Sequence, residues 1–158
     1  MTAEEPWKQL YRYWRSRFVA GRPPARADLD IPLEVPWLLA NVMLIDLIDD
    51  RFRYRLVGSA VYERYRMELT GTWIEGRNEP EVDWRATLVM VRDDQIPRLI
   101  STPVPGSAEA FHIAVALPLA EPDGPTHQIL AGLFFAQELG EQRRIGRLDA
   151  REIVDDEP

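Results

Sequence analysis

Val42-Met43-Leu44-Ile45-Asp46-Leu47-Ile48-Asp49-Asp50-Arg51-Phe52-Arg53-Tyr54-Arg55-Leu56-Val57-Gly58 reads as a β-hairpin, and the rest of the chain arranges itself around it. Val42 to Ile48 is dense in branched apolar residues, as a strand covered on both faces would be. Asp49, Asp50 and Arg51 supply a polar turn. From Phe52 to Val57 the chain alternates, with Phe52, Tyr54 and Leu56 expected on one face and Arg53, Arg55 and Val57 on the other. Gly58 ends the strand.

Upstream, Thr2 and Glu5 have the spacing of a capping box. Trp7, Leu10, Tyr11, Trp14 and Phe18 then recur at helical intervals, with basic residues between them. This predicts an amphipathic helix ending near Gly21. Its aromatic stripe has two readings: cover for the chain's own sheet, or part of a dimer seam made by Trp7, Tyr11, Trp14 and Phe18. Residues 21–30 form a proline-containing loop, and Asp30 can cap a short helical stretch from about Pro32 to Ala40, divided at Pro36.

Downstream, Ser59 is placed to cap a short helix reaching Met67, and Asn78 with Glu81 to cap a second from Glu79 to about Asp94. Three strands follow, at Pro97–Thr102, Ala110–Leu119 and His127–Gln137. The last eighteen residues mix arginine and acid, with a helical turn or fraying expected there. The order is helix, two strands, a helical block, then three strands. This is an α+β fold: a five-stranded antiparallel sheet with helices packed on one face and an N-terminal flanking helix. The expected division is 1–22 as the flanking helix, 23–140 as the domain and 141–158 as a charged C-terminal tail.

Composition narrows the functions. With 158 residues the chain suits one domain. A net charge of −7 argues against nucleic-acid binding, which needs a basic face. No apolar run approaches the roughly 20 residues of a membrane span. No signal-peptide core follows the N-terminus. The absence of cysteine excludes disulfides, thiolate metal sites and cysteine nucleophiles, in keeping with a cytoplasmic protein. His112 and His127 are the two histidines, which makes a histidine-rich metal site improbable.

This order of elements resembles a PAS domain, and the residues resemble a family of mostly stand-alone bacterial PAS proteins. The resemblance runs over about 6–138. It rests on the aromatic-basic helix Trp7 to Phe18, Gly21-Arg22-Pro23-Pro24, Ala27-Asp28-Leu29-Asp30 with Pro32, Leu38-Leu39, Val42 to Asp46, Phe52-Arg53-Tyr54-Arg55-Leu56-Val57-Gly58 and Thr70-Gly71. It implies a sensory or interaction domain rather than an enzyme. Such a domain holds a small ligand between sheet and helical block, or binds a protein partner through the sheet and N-terminal helix. The block has no cysteine for covalent flavin photochemistry and no histidine to hold haem. The cofactor is therefore unspecified, and output is expected to pass through a protein partner, with a homodimer expected.

Within that resemblance, Tyr62, Tyr65, Arg66 and Trp73 fall in the pocket-lining block, where aromatic walls with polar tips would suit a ligand. Core packing would explain the aromatics equally. Arg55 either faces the cavity and binds an acidic ligand through a carboxylate or phosphate, or pairs with Asp46, or is exposed. His112, on an apolar strand beside Ala114, either lines the cavity or is a satisfied core residue. Asp46 or His112 could serve as a general base, but no nucleophile accompanies either.

Overall fold

The computed structural model describes residues 4–75, 84–103, 111–121, 124–135 and 151–152. It is an α+β fold built on one antiparallel sheet. The hairpin is β1 (Val42–Ile48) and β2 (Arg51–Val57). Asp49 and Asp50 both take positive φ, 49° and 63°. A tight hairpin turn that follows the strands' twist needs such a pair, and aspartate tolerates it. β3 (Arg98–Pro103), β4 (Phe111–Glu121) and β5 (Gly124–Phe134) complete the long strands, in the order β2-β1-β5-β4-β3. Arg151–Glu152 add a two-residue β6 beside β3, where the sequence had suggested a helical turn or fraying. The other tail positions of that expectation, like Thr2 and the Asn78–Glu81 capping box, lie outside the described residues.

The hairpin is not regular. Leu44 faces Leu56 but Ile45 faces Tyr54, which leaves Arg55 as an extra residue in β2. A bulge of this kind shifts the pleat by one. Phe52 and Tyr54 share a face as expected. Leu56 does not join them: it turns to the opposite face, across from Leu44, and Val57 turns to theirs.

Both faces of the sheet are covered. On one lie α3 (Ser59–Tyr65), α4 (Trp84–Asp94) and the intervening Leu69 and Ile74. Val61, Leu88 and Val91 are fully buried there against Ile45, Phe52, Ile129 and Ala131. Ser59 is the first residue of α3 rather than its cap, which is Gly58, and Arg66 ends the helix in the left-handed conformation. On the other face lie α1 (Pro6–Ser16), the 3₁₀ turn Arg26–Asp28, α2 (Ile31–Glu34) and the 3₁₀ helix Pro36–Asn41. The cap that Asp30 was expected to provide is present, its Oδ1 accepting the Leu33 N–H at 3.2 Å.

α1 is shorter than the sequence suggested and buries Trp7, Leu10, Tyr13 and Trp14. Leu10 lies over Gly132 of β5, where a Cβ would come within 2.7 Å of Leu10 Cδ2. The glycine lets the helix approach the sheet closely. Trp14 Nε1–H donates to the Pro118 carbonyl at 2.8 Å, which satisfies the indole inside the core.

Candidate functional site

An aromatic cluster and a cavity lie on opposite faces of the sheet. Between the sheet and α3/α4, the side chains Tyr65, His112 and Phe135 meet edge to face. Phe135 lies 6.5 Å from Tyr65 and 5.1 Å from His112, centroid to centroid. His112 is buried on the same face as Ala114 and Ala116, and Tyr65 is half-buried at the end of α3. The other residues expected to bind ligand stand apart from this pair. Tyr62 is exposed on α3, and Arg66 is exposed at its left-handed end. Arg55 is exposed at the bulge.

Trp73 is on the outer edge of β2, bridged to Arg53 in the backbone. The guanidinium groups of Arg51 and Arg53 lie 4.1 Å and 5.5 Å from its ring centre, a cation–π arrangement. The carboxylate proposed for Arg55 is instead beside Arg53, with Asp46 Oδ2 3.6 Å from Arg53 Nη2. Gln128 Nε2 donates to the other Asp46 oxygen at 2.7 Å. Strand alternation puts Asp46 on the α1 face and His112 on the α4 face, so the sheet separates the two candidate bases.

The second region is a cavity of about 660 Å³ on the α1 face. Its floor is Val42 and Leu44 of β1, Leu56 of β2, Leu119 of β4 and Leu130 of β5. Its roof is Leu29, Ile31, Pro32, Pro36 and Leu39. Arg26, Asp30 and Ser59 are the polar side chains among its lining residues. None of the six ligand residues expected from sequence lines it. The bulge is one reason: it brings Leu56 into the floor, where simple alternation assigns it to the other face.

The roof is tied to its surroundings by polar contacts. The Tyr13 hydroxyl donates to Glu34 Oε1 and accepts the Asp30 N–H, both at 2.7 Å. Arg17 pairs with the other oxygen of Glu34. The Pro24 carbonyl accepts the Ala120 N–H at 3.0 Å, pinning the start of the roof to β4. At the far end Gly58 passes so close to Ala40 that a Cβ would be 2.2 Å from the Ala40 carbonyl oxygen.

Sequence reasoning named Tyr11 rather than Tyr13 for the helical stripe. Yet Leu10, Tyr13 and Trp14 are themselves at helical spacing, so that signal was available. Trp7 and Trp14 are buried within the chain, whereas Tyr11 and Phe18 are half-buried at the margin of the same core. Large exposed apolar side chains lie elsewhere, at Leu33, Trp37, Leu39 and Leu56. Among the described residues no cluster of three or more acidic or histidine side chains could hold a metal ion, and no helix is long and apolar enough to cross a membrane. Neither protein-family models nor curated proteins yield a match to this chain.

Proposed function

We propose that this chain is a PAS-type sensory domain that holds a small molecule non-covalently in the cavity on the α1 face and signals through a protein partner. The observation that carries the ligand-binding part of the reading is the cavity itself, which lies on the face opposite the helical block where the resemblance would place a ligand. Its volume of about 660 Å³ and mostly apolar lining with few polar groups are what a small-molecule site needs. The strand order, with a helical segment crossing from β2 to β3 over one face, supports the PAS-type part of the reading. The absence of cysteine suits a reducing, cytoplasmic setting.

Coupling has a physical route in this reading. A ligand that favours one roof position over another shifts the population of that position. The roof is joined to α1 through Tyr13 and Glu34, so its movement would be felt by the helix. A second reading is a ligand-free interaction module, favoured by Leu33 at 77% exposure and Trp37 at 62%.

Native mass spectrometry of the purified protein, compared with its denatured mass, separates the two. The sensor reading expects a stoichiometric mass that is lost on denaturation and also lost from Leu56→Trp, whose larger side chain takes up space above the cavity floor. Bare protein at twice the chain mass, with no melting shift in metabolite extracts, would favour the interaction module.

A further inference from the structure

We infer that the cavity on the α1 face takes an aliphatic carboxylate, with the chain in the cavity and the carboxylate at Arg26. The inference rests on the sensor reading above and adds the chemical class of the ligand. Apart from Arg26, Asp30, Ser59 and Gly58, the lining residues are leucine, isoleucine, valine, proline and alanine, with no aromatic ring among them. Walls of this kind suit a flexible saturated chain, whereas a planar cofactor gains most from aromatic faces to stack on.

The polar end follows from the rim. Asp30 also lines the cavity and carries a negative charge, with Oδ1 turned to the N-terminus of α2, where it accepts the Leu33 N–H. Ser59 is neutral. Arg26, exposed at the start of the roof, is the cation among the lining residues. Its guanidinium can meet a carboxylate with two parallel hydrogen bonds. The Pro24–Ala120 hydrogen bond at 3.0 Å fixes the backbone two residues before Arg26. The site lies on the face opposite α3 and α4 and uses none of the residues grouped around Phe135.

The test is calorimetric titration of the full chain with laurate and with dodecanol, both below their aggregation limits. Wild type, Arg26→Gln and Leu56→Trp would be compared, each checked by its melting transition. Laurate is expected to bind wild type more tightly than dodecanol does. Arg26→Gln should weaken laurate about three- to tenfold, the modest size set by the solvent exposure of the arginine, and leave dodecanol unchanged. Leu56→Trp should block both.

If both ligands bind alike, Arg26→Gln alters neither and Leu56→Trp blocks both, the carboxylate assignment is overturned while the cavity remains the ligand site. If neither ligand binds wild type, the aliphatic-carboxylate inference is overturned while the sensor reading still stands or falls on its native-mass test; if binding persists in Leu56→Trp, the cavity assignment fails and the inference goes with it.

Discussion

Tyr13 joins α1 to both ends of α2 through one oxygen. Its hydroxyl sits between the Asp30 N–H and the Glu34 carboxylate, and its ring is buried beneath α1. Tyr13→Phe keeps the ring and removes both hydrogen bonds. It should cost about 1–2 kcal/mol in urea unfolding, because the Asp30 N–H is left in a half-buried setting without that acceptor. Amide exchange over 26–34 should quicken more than elsewhere; an unchanged exchange map would mean Tyr13 does not hold the roof. A second residue-scale effect concerns charge. Arg92 Nε donates to Asp93 Oδ1 at 2.8 Å and holds that carboxyl below the usual aspartate range. A lowered carboxyl stabilises the fold above its unfolded value, and that contribution is lost as pH falls through the lower folded value. Asp93 is exposed, so the effect is small and screened by salt. Titration of Asp93 followed by NMR should return to the ordinary range in Arg92→Ala.

At the scale of elements, β2 is the outermost strand beside β1, and a bare edge invites pairing with other chains. The segment 71–75 covers it. Tyr54 N–H donates to the Thr72 carbonyl at 3.0 Å, Gly71 N–H to the Tyr54 carbonyl at 2.7 Å, and Ile74 N–H to the Phe52 carbonyl at 2.9 Å. The amides of Tyr54, Gly71 and Ile74 should therefore exchange slowly, at rates near those of β1. Gly71 is the sharpest probe, since its residue is exposed and only the hydrogen bond protects it. Rapid exchange there would mean that the edge opens. The bulge at Arg55 acts on the same strand from within: one extra residue sends Leu56 into the cavity floor and returns Val57 to the α4 side.

For the whole molecule, the sheet carries an apolar core on each face, so α1 is a structural layer of this fold. Trp7 and Trp14 are 6% and 2% exposed. Truncating a buried tryptophan costs about 3–5 kcal/mol, and a domain of this size has on the order of 5–15 kcal/mol in all. The double variant Trp7→Ser, Trp14→Ser should therefore unfold. Circular dichroism with sedimentation velocity distinguishes this from a dimer seam: a folded monomer would mean that the stripe serves an interface instead.

The sequence by itself determined the order of elements up to β5, the hairpin with a polar turn at Asp49-Asp50-Arg51 (of which Arg51 belongs to β2), the Asp30 cap and the break at Pro36. Each depends on residues close in the chain, through φ preferences, capping hydrogen bonds and hydrophobic periodicity. It also carried the resemblance from which a sensor was expected. Tertiary structure decided which side each residue faces. Alternation cannot reveal a bulge at Arg55, because the extra residue exists only relative to Leu44 and Ile45 on the partner strand. Helical spacing admits both Tyr11 and Tyr13, and contact with Asp30 and Glu34 selected Tyr13. The cavity was invisible for the same reason. Its floor and roof come from segments as distant as Arg26 and Leu130, joined only when the sheet closes and Gly58 meets Ala40.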